Sequence, residues 1–154
     1  MSKKITLIFG SDHAGYKLKS HLQNYFELTN KYNIIDVGCY TDEIKVDYPH
    51  YAALVAEKII QIPNSSGVLT CGTGIGMSIA ANKIRHMRCA LCTNVPAAIM
   101  AKRHNNANII AMGERTTDKQ SAVKMVQEII NQNFEAGTHK RRIEMFKELH
   151  NFFK

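Results

Sequence analysis

Five apolar runs, at 5–9, 34–38, 67–71, 88–92 and 108–112, alternate along this chain with stretches of helical periodicity. The helical stretches fall at about 15–28, 49–61, 77–84, 96–104 and 118–133. Regular alternation of strand and helix leads to a parallel sheet with helices on both faces. The reading is an α/β, Rossmann-like three-layer sandwich with a five-stranded parallel sheet, formed as one domain over 1–154. Thr116-Thr117-Asp118 supplies N-cap candidates for the long helix through Val123, Val126 and Ile130. Gly137-Thr138 interrupts before a last amphipathic stretch carrying Ile143, Phe146, Leu149 and Phe152-Phe153. That apolar surface needs a cover, either the domain's own core or a second subunit.

Ligands of doubly wound sheets sit beyond the carboxyl ends of the strands, where the winding reverses. With a flavodoxin-like order 2-1-3-4-5, the reversal lies between strands one and three. The loops after those strands are Gly10-Ser-Asp-His-Ala-Gly15 and Cys71-Gly-Thr-Gly-Ile-Gly76. That order brings both loops to one crevice.

In the second loop an apolar strand becomes a glycine turn and then a helix, with Cys71 at the junction. Gly72, Gly74 and Gly76 leave the backbone free to turn its N–H groups inward. A helix N-terminus concentrates unpaired donors and positive potential, which stabilises anions and favours a cysteine's thiolate. A thiolate facing a cradle of N–H donors can remove a proton and then hold the oxyanion that results. Rival readings of the glycines fit poorly. The first loop lacks the middle glycine of a dinucleotide fingerprint, and no Gly-Lys-Ser/Thr follows to make a P-loop.

Composition narrows the partners. At 154 residues, 45% hydrophobic and 21% charged, the chain suits one globular domain with a real core. No apolar run approaches the ~20 residues that span a bilayer. The Met-Ser-Lys-Lys start precedes an apolar stretch too short for a signal peptide, so a cytoplasmic protein with no membrane partner is expected. A net charge of +7 points to an anionic partner. Without a basic stripe interleaved with aromatics, a small phosphorylated ligand is favoured over nucleic acid. Cys39, Cys71, Cys89 and Cys92 are too sparse for a disulfide framework. Cys89 and Cys92 have CxxC spacing, but strand positions three apart face opposite ways and cannot grip one metal. They are read as reduced, buried thiols.

Asp12, His13, Cys71 and Arg115 all follow predicted strands, and His104-Asn105-Asn106 closes the fourth helix. Taken singly, each has a bland reading: an N-cap for Asp12, a polar turn for His104 to Asn106, a solvated Arg115. Together the chain's motifs run in a recognisable order. Ser11-Asp-His-Ala-Gly15, Asp47-Tyr-Pro49, Cys71-Gly-Thr-Gly-Ile-Gly-Met-Ser-Ile-Ala-Ala-Asn-Lys83, Arg103-His-Asn-Asn-Ala-Asn108 and His139-x-x-Arg142 resemble ribose-5-phosphate isomerase type B. That family also holds galactose- and allose-6-phosphate isomerases, and the resemblance covers essentially the whole chain.

The resemblance implies that Cys71 is the base that moves a proton between C2 and C1 of an open-chain sugar phosphate. Thr73 would support that thiolate by a hydrogen bond. Backbone N–H groups across Gly72, Gly74, Ile75, Gly76, Met77 and Ser78 would hold the cis-enediolate oxygens. His104 with Asp12 would open the furanose, Tyr48 would line the sugar, and Asn105 would bond its hydroxyls. His13, Arg115 and Arg142 would bind the phosphate. The implied assembly is a homodimer, or a dimer of dimers, with the C-terminal helix at its interface. His104, Asn105 and Arg115 are assigned to the partner subunit. The implied reaction interconverts ribose 5-phosphate and ribulose 5-phosphate in the non-oxidative pentose phosphate pathway. No metal or redox cofactor is expected, because an N–H cradle can supply the positive potential.

Two positions depart from relatives. A branch of the family carries a glutamate base in the glycine loop, and the matching position here is Ile75, which takes no proton. The family pattern Gly-Arg-His-x-x-Arg is here Gly137-Thr-His-Lys-Arg-Arg142, so Thr138 replaces a phosphate-binding arginine. A charged hydrogen bond contributes about 1.5–3 kcal/mol. Lys140, two helical positions on, points elsewhere. The choice between ribose 5-phosphate and a six-carbon aldose 6-phosphate therefore stays open. The alternative from another class is a non-catalytic nucleotide- or nucleic-acid-binding module using the basic charge.

Overall fold

A computed structural model describes residues 3–151 and places five parallel strands in one sheet. They are β1 (Thr6–Ser11), β2 (Asn33–Asp36), β3 (Ser65–Cys71), β4 (Cys89–Leu91) and β5 (Ile109–Gly113). Between and after them run α1 (Tyr16–Leu28), α2 (Tyr48–Gln61), α3 (Ile75–Asn82), α4 (Val95–Asn105), α5 (Lys119–Asn131) and α6 (Gly137–Glu144). Alternate strand residues feed two cores. Leu7, Phe9, Val68 and Ile110 face α1, α4 and α5, whereas Ile8, Leu69, Ile109 and Ala111 face α2 and α3. The expected three-layer architecture is present.

The strand order differs from expectation. It is β2-β1-β3-β5-β4, so the chain passes from β3 to the sheet edge and returns to fill the gap. Burial explains the inversion. All five residues of β5 are buried, while β4 has only three residues and ends on an exposed Leu91. A short, part-exposed strand belongs at an edge. The winding still reverses between β1 and β3, so the predicted crevice survives the correction.

Local signals hold at most boundaries. Asp118 Oδ1 accepts the Ser121 N–H at 2.9 Å, making Asp118 the cap of α5. Asn106 closes α4 in the left-handed region at φ 45°. α3 begins at Ile75, two residues before the predicted Met77, because Gly74 takes φ 78° and serves as the cap. α6 buries none of its residues, and Phe146 and Leu149 beyond it remain about half exposed. The domain's own core therefore does not cover this segment. Phe152-Phe153 lie outside the described residues. No helix among the described residues is long and apolar enough to cross a membrane.

Candidate active site

Three loops meet at the carboxyl edge of the sheet. A β-carbon at Gly15 would fall on the Thr70 backbone and 2.5 Å from the Cys71 nitrogen, so only glycine lets the first loop lie against β3. Thr70 Oγ1 donates to the Gly15 carbonyl at 2.7 Å and fastens the contact. From β5, Glu114 N–H donates to the Cys71 carbonyl at 2.9 Å and Arg115 N–H to the Gly72 carbonyl at 3.0 Å. The loops that carry Asp12, His13, Cys71 and Arg115 thereby lie against one another at the carboxyl edge of the sheet.

Cys71 is 5% exposed, and its sulfur accepts the Gly74 N–H at 3.1 Å. Thr73 Oγ1 accepts the Ile75 N–H at 3.3 Å, and Ser78 N–H bonds the Gly74 carbonyl within the helix. These bonds thin the expected cradle: the Gly74 N–H is taken by the Cys71 sulfur and the Ile75 N–H by Thr73 Oγ1, which among the described residues makes no hydrogen bond to that sulfur. Ser78 N–H is likewise committed to the helix, because it is the first donor with an acceptor one turn back. Gly76 and Met77, the remaining first-turn positions, have no intrahelical acceptor for their N–H groups. They are the donors free for an oxyanion, alongside the loop at Gly72.

Side chains close around this turn. The Arg115 guanidinium lies over Gly72, where a β-carbon would meet Nη1 at 2.7 Å. The Tyr48 ring packs on Gly76 in the same way, at 2.7 Å to Cζ. His13 Nδ1 accepts the Val46 N–H at 3.1 Å, which leaves Nε2 as the N–H donor of the neutral ring. Asp12 Oδ1 accepts the Gly15 N–H at 3.0 Å, so its N-cap reading holds.

Arg115 thus lies against the Cys71 loop of its own chain, which corrects its assignment to a partner subunit. The reason is register: Cys71 pairs with Gly113, and Arg115 follows two residues later. His104 and Asn105 lie elsewhere. They end α4 and precede β5, and Asn108 O accepts the Gly67 N–H at the amino edge of the sheet. Four residue steps from Gly67 to Cys71 separate the two edges by about 13 Å of strand. The His104 ring stacks on His139 at 4.1 Å and 8°, and Arg142 follows one turn later on α6. Thr138, exposed, belongs to the same group. The predicted residues therefore form two clusters, one at each edge of the sheet.

Two sets of contacts escaped the sequence reading. Glu135 joins Arg103, His104 and His139, signalled only by its i,i+4 spacing to His139. Asn82 clamps α3 to β4, donating to Cys89 O at 2.9 Å and accepting from Cys89 N at 2.8 Å. Ligand atoms of His104, Glu135 and His139 lie within 4.8 Å of one another. Parallel rings send their lone pairs along parallel lines, however, a poor match to the convergent donors of a metal centre. Cys92 lies in the α1/α4/α5 core and Cys89 in the α2/α3 core, so the two face opposite ways as predicted. Burial pushes both thiols up, Cys92 to about 11.

A family model described as Ribose/Galactose Isomerase matches residues 7–146. Ribose-5-phosphate isomerase B of Escherichia coli is 36% identical over 142 residues, 92% of this chain and 93% of that protein. The structure of Clostridium thermocellum ribose-5-phosphate isomerase B matches with a TM-score of 0.91 and 37% identity, over 97% of this chain and 100% of that one. That of Mycoplasma genitalium ribose-5-phosphate isomerase B, solved with bound ribulose-5-phosphate, gives 0.90 and 32%, over 98% and 99%. Motif order, strand topology and these matches agree, and the chain belongs to the ribose/galactose isomerase family.

Proposed function

We propose that this isomerase interconverts ribose 5-phosphate and ribulose 5-phosphate through a cis-enediolate, as a cytoplasmic step of the non-oxidative pentose phosphate pathway. The observation that carries the reading is Cys71 at the end of β3, next to the free N–H donors of Gly76 and Met77. As thiolate, Cys71 takes the C2 proton of the open-chain aldose. The released electron pair forms the C1–C2 double bond, and the charge on O1 is held by the donors. The O2 proton passes to O1, the Cys71 proton goes to C1, and C2 becomes the ketone. Every atom is conserved.

His104 and Asp12 open the furanose by moving a proton from the anomeric hydroxyl to the ring oxygen. Since His104 and Asn105 sit at the opposite edge from Cys71 in one chain, a second copy supplies them, and Arg142 arrives with them. His13 and Arg115 bind phosphate from the Cys71 side, and Tyr48 lines the sugar. A homodimer is supported by the exposed Phe146 and Leu149 and by an adjoining groove of about 1210 Å³ lined by Ile84, Met87, Phe134 and Ile143.

The test is an assay across ribose 5-phosphate, allose 6-phosphate and galactose 6-phosphate without added metal or nicotinamide. Ribose 5-phosphate is expected to turn over fastest. Preference for a six-carbon substrate would overturn the substrate assignment. Salt-dependent binding of nucleic acid with no turnover would overturn the enzyme itself.

A further inference from the structure

Glu135 stands just before α6, yet its contacts run back to the last turn of α4. Its N–H donates to the Arg103 carbonyl at 2.9 Å, which pins the connection onto that turn. Its two carboxylate oxygens have separate partners. Oε1 accepts from Arg103 Nε at 2.6 Å and also meets Arg103 Nη2. Oε2 faces His104 Nε2 at 3.5 Å and His139 Nε2 at 3.9 Å. Arg103 is a planar fork, so its grip fixes the orientation of the carboxylate and not only its place. The His139 ring, flat against His104, leaves the His104 ring little freedom to turn.

We infer that Glu135 is the positioning residue for His104, holding the imidazole through Nε2 and leaving Nδ1 to handle the proton of ring opening. The inference rests on the reading of His104 as the ring-opening group. A carboxylate beside one ring nitrogen selects the tautomer with that nitrogen protonated, so the other nitrogen is the acceptor. When Nδ1 takes the anomeric proton, the ring becomes a cation between Glu135 and the substrate. The carboxylate offsets that charge until the proton is delivered to the ring oxygen. The divided use of Glu135 also accounts for Arg103. Without the guanidinium on Oε1, the exposed carboxylate would be free to rotate away from the stacked rings. Glu135 touches no reacting atom in this scheme and acts only through His104.

The test compares two rates for Glu135→Gln: turnover of furanose ribose 5-phosphate, and solvent exchange of the C1 proton of ribulose 5-phosphate, which is always open-chain. Furanose kcat should fall about 10–100-fold with KM within about twofold, while proton exchange is unchanged. Glu135→Asp, which keeps the charge, should recover part of the loss. In a His104→Ala background, Glu135→Gln should add nothing, since the group it positions is gone. Equal losses in both rates, a multiplied loss in the double variant, or no loss where His104→Ala has one would each overturn the inference. If Glu135→Gln does not fold, Glu135→Asp decides by the same pair of rates: a loss confined to the furanose supports the role and an equal loss overturns it. Normal furanose turnover by His104→Ala would instead overturn the ring-opening reading, and the two failures remain distinct.

Discussion

Cys71 and His104 sit at opposite edges of the same sheet, one closing β3 and the other closing the helix that leads into β5. Neither can reach the other within a chain. Mixing two inactive variants should therefore restore activity. Cys71→Ala alone should lose ~10²–10⁴-fold in kcat as a missing general base. When Cys71→Ala and His104→Ala chains are dissociated and reassociated together, half of the proposed dimers would be mixed, each with one intact site of two. The expected recovery is about a quarter of wild-type turnover. Recovery no greater than the sum of the parent variants would show that each site is built within one chain.

Gly72 and Gly15 are both crowded, but by different neighbours. At Gly72 a β-carbon meets the tip of Arg115, a flexible side chain that can move aside. Gly72→Ala should leave stability within about 0.5 kcal/mol and raise KM by displacing the guanidinium. At Gly15 a β-carbon meets the backbone of Thr70, which cannot move without breaking the β3 ladder. Gly15→Ala should cost about 3 kcal/mol or more. Chemical denaturation and steady-state kinetics separate the two; a stable Gly15→Ala would contradict the packing described.

Thr138 lies exposed on the first turn of α6, one residue from His139. Thr138→Arg adds a charged fork suited to phosphate oxygens and should lower KM for ribose 5-phosphate. Arg142→Ala should raise it, with a smaller effect on kcat, because phosphate contacts persist into the transition state. An unchanged or higher KM for Thr138→Arg would mean that the position does not face phosphate.

Alkaline stability should depend on Cys92. Its thiol is held up at about 11 by burial, against an ordinary 9.0. In the unfolded chain it ionises near the ordinary value, so above that pH the unfolded state binds fewer protons than the native state. Stability contributed by the buried thiol is complete below about pH 9 and declines through about pH 11, by roughly 2–3 kcal/mol for a shift of this size. Cys92→Ala should show a shallower decline over that window in urea titrations. Parallel slopes for the two proteins would refute the assignment.

Element identity was written in local pattern. The apolar runs ending at Phe9, Cys71 and Met112, the capping Asp118 and the turning glycines of 72–76 act over a few residues, so the sequence alone sufficed to place them. Cys89 and Cys92 could likewise be sent to opposite cores from strand geometry alone. Long-range competition decided the rest. β4 and β5 are both apolar, and only the burial available to each settles which lies inside. Thr73 bonds Ile75 and Ser78 N–H joins the helix because α3 starts at Ile75, a boundary set by how Gly74 packs against Met112. Arg115 belongs to the Cys71 crevice through the β3–β5 register, and Glu135 reaches His104 across 31 residues of chain that no local signal bridges. Sequence determines what each segment can be, because propensity and periodicity are local; which side chains meet follows from packing, to which every segment contributes.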